Sequence, residues 1–498
     1  MAYNLIPADR GQVFLMPPSI DEWLSADHPA RVLVELIDDL DLSAFYEGRR
    51  EDGWGRASYD PAVMVGILLY GYITGVRSAR AIERCLQENV AFRFVAANNI
   101  PDHATIARFR TSYAIALEGL FTQVLGVCVR AELIDTSVVA LDGTKMEANA
   151  SSRKTVTEKE LEDMAHEILE DARRIDEEED EAYGDASGWR LPERLKDPDE
   201  RKRLIREELE KIKAARAKTW EGRQRTARVN TTDPESRTMI GKDGYLQGYN
   251  AQAVVDKNRF VLAGDVSNSA ADNPLFQAMV TAAADNLAGA GGGAIGTVLA
   301  DAGYLSSTNL ETPAAQEAII APAHVTRIND TEIFDEAAYE EQKRRYRAAR
   351  EEIDRETDRR CEVLDRLMTG KLLLREAAAE LGMSVPGVWQ LKRRYEEQGR
   401  DGARPRVSLR PPPGPTARQI MAAKLRDEAT RDLYKLRSVI VEPLFAQTKW
   451  VRGFERFTMR GLRRCSLEWS LMMTTHNIRQ LMAATAARTP APSLVSQF

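Results

Sequence analysis

A single carboxylate interrupts an apolar run near the C-terminus of this chain. In "YKLRSVIVEPLFAQTKWVRGFERFTMRGL", Glu442 stands among Val439, Ile440, Val441, Leu444 and Phe445, and the spacing predicts one helix. On that helix the carboxylate is expected to face the buried side, flanked by cations, where a charge is costly unless something binds it. A metal ion that shares its charge with other acids is the natural partner. Two such acids end strand-like runs upstream, Asp142 in "SVVALDGTK" and Asp301 in "GTVLADAGY". Asp, Asp and Glu at the ends of separate elements predict metal-assisted phosphoryl transfer on nucleic acid.

Composition sets the limits. With 498 residues, 43% hydrophobic and 29% charged, the chain reads as a soluble globular protein of several domains. Its longest apolar stretch, Pro61–Val76, falls short of the roughly 20 residues that span a bilayer. The N-terminus lacks the charged and apolar regions of a signal peptide. Cys85, Cys128, Cys361 and Cys465 are scattered, which excludes a zinc knuckle by spacing and fits a reducing, cytoplasmic setting. The net charge of -7 argues against DNA only if charge is evenly spread, and it is not. Residues Asp176 to Glu181 form one acidic run, whereas Lys343 to Arg418 is rich in arginine. DNA binding needs a local basic footprint, not a basic whole.

Residues 1–130 read as a helical domain, broken at Gly75, with Asp102 capping a helix that carries Arg108 and Arg110. Gripping DNA and dimerisation both stand open for it. Residues 131–150 hold the strand with Asp142, and Thr144 shares its face. Residues 151–228 are charged and read as a solvated helical insertion. Strand patterns resume in residues 229–325 with "GYNAQAVVD" and "RFVLAGDVS", then a helix, the strand before Asp301, and "EAIIAPA". The glycines at 289–293 lack the Lys-Ser/Thr of a phosphate loop and read as a connector. This order predicts an α/β core of the ribonuclease H kind. Asp256, Asp265 and Asp272 are rival acids, Asp272 foremost because it follows a core strand. The histidines are dispersed, and none is expected to bind metal.

Within 326–427, residues 371–398 read as a helix-turn-helix. Leu373, Ala377, Ala378 and Leu381 form one stripe, Gly382 the turn and Ser384 a cap, with Val388, Leu391 and Tyr395 inward. Gln390, Arg393 and Arg394 then point outward, as a major groove requires. An arginine-bearing arm follows, suited to phosphates. Residues 428–485 contain the Glu442 helix and C-terminal helices, and 486–498 are expected to be a disordered tail.

Together these residues resemble the DDE transposases of bacterial insertion sequences. The C-terminal signature of that family, Tyr-Arg-Glu-Lys, is matched by Tyr434, Arg437, Glu442 and Lys449. Four residues separate Arg437 from Glu442 where the commonest form has three, which turns Arg437 by about 100° relative to Glu442. Asp142 and Asp301 match the family aspartates by motif, and the N-terminal segments "YGYITGVRSARAIE" and "PDHATIARFR" resemble its helical domain. Some relatives carry a Cys-rich knuckle in the second insertion; this chain has Cys361 alone there. The resemblance implies a ribonuclease H-like core in which Asp142, Asp301 and Glu442 hold two Mg2+ or Mn2+ ions. It further implies that Lys449 touches a DNA phosphate beside the metals and that Tyr434 and Arg437 contact DNA. The partners implied are terminal inverted repeats and target DNA, bound by a homodimer or larger assembly near the bacterial nucleoid. Two other readings remain: a cleavage-only ribonuclease H-like nuclease, and a helix-turn-helix regulator with an inactive core.

Overall fold

Asp60 ahead of Pro61 and Gly75 after Thr74 bound a helix that is apolar on every side, and the structure makes it central. The computed structural model describes residues 19–47, 58–157, 203, 207, 210, 228–241, 244–322, 334–407 and 409–488. N-terminal helices are α1 (Pro29–Asp38), α2 (Ser43–Tyr46), α3 (Pro61–Thr74), α4 (Ala79–Glu88), α5 (Val90–Val95), α6 (His103–Ser112) and α7 (Ala114–Arg130). The Asp60 carboxylate accepts from the Ala62 N–H at 2.8 Å at the start of α3. Gly75, at a φ of 84°, ends it with the left-handed turn that favours glycine. Without a polar stripe, α3 can only be enclosed by its neighbours; Met64, Val65, Ile67, Leu68 and Leu69 are all buried. Asp102 caps α6 as its position predicts, accepting from Thr105 N–H at 2.6 Å.

Strands β1 (Val138–Glu147), β2 (Thr155–Thr157), β3 (Arg228–Asn230), β4 (Arg237–Gly241), β5 (Gly244–Asp256) and β6 (Val261–Ser267) follow. Helix α8 (Phe276–Gly289), β7 (Ile295–Ala300), α9 (Ser307–Leu310) and β8 (Ala315–Ile320) complete a mixed α/β region. The main sheet runs β4-β5-β1-β7-β8, with β6 also on β5. β1 is its pivot: β5 pairs with it antiparallel, β7 pairs with it parallel, and β8 continues parallel beyond β7. The Arg237–Gly241 strand escapes sequence reading because it is short and its exposed Ile240 breaks the burial pattern.

The chain divides into two compact units, residues 1–323 with 427–498 and residues 324–426. The second contains α10 (Glu336–Met368), α11 (Leu374–Leu381), α12 (Val385–Gln398), α13 (Arg400–Ala403) and α14 (Ala417–Lys424). Its core joins Val363 and Leu364 to Ala377, Ala378, Leu381, Val388, Leu391 and Ala403. Gly382 makes the turn at a φ of 61°, and Ser384 caps α12. Leu373, expected in the apolar stripe, is instead 69% exposed, because it sits at the N-cap of α11 before the helical face begins.

Back in the first unit, α15 (Glu428–Ala446) leads into a π-helical turn, Gln447–Val451, and α16 (Leu462–Arg488) closes the fold. Helix α16 continues to Arg488, past the tail boundary expected at 486, and residues 489–498 lie outside the described residues, as does nearly all of the 151–228 insertion. Helix α8 packs on β5 and β6, α16 on β6, α3 and α7, and α15 on β1, β5 and β7. Among the described residues no single helix is long and apolar enough to cross a membrane.

Buried polar groups tie the last loops to the sheet. Glu468 accepts from Thr458 N–H and Oγ1 and from Arg77. Asp233, fully buried, accepts from the Tyr249 hydroxyl at 2.8 Å and the Gly461 N–H at 3.3 Å. Burial pushes its carboxyl up to about 6, against the opposing pull of those donors. Because the folded value is raised, the group's contribution to stability is complete below pH 3.8 and is lost as pH rises through about 6. Asp233→Asn removes the titration and keeps an acceptor for Tyr249. The unfolding free energy of the wild type relative to this variant should therefore fall between pH 4 and 6, by up to about 1.4 kcal/mol per pH unit. Parallel urea titrations across that range would expose an unchanged difference, which would contradict the assignment.

Candidate active site

Register places the two aspartates. Leu141 on β1 pairs with Ala300 on the parallel neighbour β7. Asp142 and Asp301 are the next residues and stand level with each other; β7 ends there, whereas β1 runs on through Asp142, paired with Ala253, to Glu147, which corrects the expectation of a strand ending at Asp142. The carboxyl ends of parallel strands are where α/β sheets commonly place ligands, and Asp301 stands at that end of β7. Asp301 caps a short turn, its Oδ1 accepting from the Gly303 N–H at 2.9 Å.

Helix α15 lies across these strands and buries Ile440, Val441 and Leu444. Glu442 is one residue past Val441 and therefore turns outward. Its side chain is 61% exposed, which corrects the expectation that it faces the buried side. Arg437 reaches the strands. Its Nη1 donates to Asp142 Oδ2 at 2.7 Å, and Nη2 stands 3.8 Å from Glu442 Oε1. The Arg437 charge also acts on the half-buried Tyr434 hydroxyl, opposing the rise that burial causes. The four-residue spacing thus does not remove Arg437 from the site but puts its guanidinium between two of the three carboxylates.

Burial raises the Asp142 carboxyl to about 6; Arg437 pulls the other way, and the charge of Asp301 adds to the rise. Burial likewise raises Asp301, with Asp272 contributing in the same direction. Asp272, the foremost rival acid, thereby proves to belong to the same neighbourhood. Its Oδ1 accepts from Asn250 Nδ2 at 2.7 Å, Gln252 Nε2 at 3.0 Å and Lys145 Nζ at 3.0 Å. The other rivals lie elsewhere: Asp256 binds the Asp135 and Phe260 N–H groups, and Asp265 accepts from Ser466.

Lys145, Asn250, Gln252 and Tyr304 are site residues that sequence reasoning missed. Lys145 is opposite Asn250, and Gly143 opposite Gln252, across the β1–β5 ladder. Tyr304 donates its hydroxyl to Gln252 Oε1. Polar residues at 250 and 252, on one face of an otherwise apolar strand, were the available signal. Gly143 explains the close fit. A Cβ there would meet Gln252 Nε2 at 2.2 Å and Asn250 Oδ1 at 3.1 Å.

Other expected contacts fall differently. Lys449 donates to the Lys145 carbonyl at 2.7 Å, and burial lowers its pKa. One of its three N–H donors thus ties it to β1, and the π-helical turn carries it there. Arg110 is 1% exposed and donates to the Tyr72 hydroxyl and the Arg77 carbonyl. That corrects its assignment to a DNA surface: the apolar face of α6 includes it, while Arg108 faces solvent. Gln390 and Arg393 are exposed on α12. Arg394 is half-buried against the Arg404 carbonyl at 3.3 Å, and Arg393 pairs with Glu397 at 3.0 Å. His103 pairs with Glu83, and His476 is buried against the Arg259 carbonyl.

Carboxylate oxygens are the hard donors that Mg2+ and Mn2+ take, so the chemistry of Asp142, Asp301 and Glu442 fits such ions. Among the described residues no group of three His, Cys, Asp or Glu side chains already forms a metal cage. Gly143→Ala tests the packing behind Asp142. The added methyl cannot be accommodated while Gln252 stays bound to Tyr304, Asn250 and Asp272, so stability should fall by about 1–3 kcal/mol. Denaturant unfolding that leaves the midpoint unmoved would show that Gln252 yields freely.

Residues 18–112 match the model of a transposase domain (DUF772), and residues 185–478, well over half the chain, match that of the transposase DDE domain. The second match includes Asp301 and Glu442 and begins after Asp142, whose place rests on the strand register. No curated protein and no solved structure matches the chain significantly. Members of the DDE family generally use divalent metal ions. The chain belongs to the DDE transposases of insertion sequences.

Proposed function

We propose that the chain cleaves DNA at the terminal inverted repeats of its own element and transfers the freed 3′ ends to target DNA. The observation that carries this reading is the parallel register that sets Asp142, within β1, level with Asp301 at the end of β7, beside the helix that bears Glu442. The order β6-β5-β1-β7-β8, with β7 and β8 parallel to β1, supports a ribonuclease H-like core. Asp142, Asp301 and Glu442 would hold two Mg2+ or Mn2+ ions. Such ions activate the attacking oxygen and stabilise the leaving one in an in-line displacement at phosphorus.

The remaining residues bind and orient DNA. Arg437 and Tyr434 stand beside the carboxylates, within reach of a strand lying over them. Lys449 uses one of its three N–H donors on the Lys145 carbonyl and has others for a phosphate. Gln390 and Arg393 on α12 present the outward face that a groove requires, and Arg108 adds an exposed cation on α6. Two element ends must meet, so a homodimer or larger assembly is the working form, acting at the bacterial nucleoid.

Glu442→Gln should abolish strand cleavage while end binding changes little, because the amide keeps the shape and loses the charge. Equal cleavage by this variant, in a nicking assay with Mg2+, would remove Glu442 from the reaction. Arg393→Ala combined with Arg394→Ala should weaken DNA binding and lower the salt slope by about 1–2. An unchanged slope would leave α12 an ordinary hairpin helix.

A further inference from the structure

The guanidinium of Arg437 lies where a cation is expected. It binds Asp142 at 2.7 Å and stands 3.8 Å from Glu442, two of the carboxylates assigned to metal. It also feels the charge of Asp301. Neither Arg437 nor Asp142 is open to bulk water, their side chains being 18% and 20% exposed, so screening of the pair is weak. A divalent ion arriving at Asp142 therefore competes with a fixed positive charge that costs no dehydration. Arg437 has a second natural partner, since a guanidinium binds phosphate as well as carboxylate, in the same two-pronged manner.

We propose that Arg437 holds the place of the cation in the DNA-free protein and leaves it for a backbone phosphate of the bound end. Metal loading and end binding are then coupled through one side chain. This rests on the metal-assisted reading above and deepens it. A guanidinium that turns from Asp142 to a phosphate uncovers Asp142 Oδ2 and frees Glu442 at the same time. The carboxylates are released to metal only when DNA is in position, and a phosphodiester elsewhere meets a site that is still neutralised. Coupling of this kind is reciprocal, so metal must favour end binding as strongly as the end favours metal.

The test is Mn2+ binding to the full-length chain, followed by electron paramagnetic resonance. It is run with and without a duplex that copies the inverted repeat beside the gene and ends in a 3′-dideoxynucleotide, so that it cannot be joined. The wild type should bind Mn2+ more tightly on the duplex by roughly 5–150-fold, the range of ordinary coupling between sites. Arg437→Met should bind Mn2+ tightly without DNA and gain little from it, whereas Arg437→Lys should retain most of the gain. A duplex with neutral methylphosphonates at its terminal linkages should not tighten Mn2+ binding. Equal wild-type affinity with and without the natural duplex overturns the inference, whether or not the variants fold. Equal tightening by the neutral duplex also overturns it. If Mn2+ binds in no condition, the metal-assisted reading falls as well.

Discussion

A carboxylate on the central strand of a sheet, with neighbours on both sides, cannot be hydrated from all directions. Asp142 is in that position, and Arg437 answers it from a helix that enters nearly three hundred residues later in the chain. The pair sets much of what surrounds it. Helix α15 must lie across β1, β5 and β7 for the guanidinium to reach. Its apolar residues Ile440, Val441 and Leu444 must then face the strands, and Glu442 is left at the rim. A buried charge paired in this way is sensitive to loss of either partner, because the remaining charge is stranded.

Close by, the same problem has a second solution. Asp272 is held by two carboxamides and an ammonium, all from strands, and Gln252 passes the network to Tyr304. Gly143 lets that network pack directly against β1. Gly303 does the same beyond β7: a Cβ there would lie 3.0 Å from Asp301 Oδ1 and 3.4 Å from Asp272 Oδ2. The motif "LADAGY" thus combines an acid, a glycine that leaves the acids room, and a tyrosine that anchors the strand behind them.

What could be read from the sequence follows the range of the interactions. Local signals were plain: Asp102 as a cap, Gly75 and Gly382 as turns, and the apolar runs that lead to Asp142 and Asp301, although β1 runs on past Asp142 to Glu147. The inward set of α12, Val388 and Leu391, follows from helical periodicity alone. Signals that depend on which elements meet were not plain. Glu442 seemed destined for the interior because its neighbours are apolar, yet one step of 100° separates Val441 from it. Arg110 looks like any surface arginine until Tyr72 is seen beside it. Lys449 reaches Lys145 only because the helix widens into a π turn, which no local pattern announces. Lys145 itself looked incidental until Asn250 and Asp272 were placed across from it.

The order of the carboxylates along the chain has a consequence for synthesis. Asp142 and Asp301 belong to the first part to leave the ribosome, and Glu442 follows a separate compact unit of residues 324–426. At about 5–20 residues per second, Glu442 is added roughly 7–30 s after Asp301. During that interval the nascent chain has two of its acids and neither Glu442 nor Arg437. A growing polypeptide thus lacks a complete set of carboxylates until the residues beyond 426 have been added.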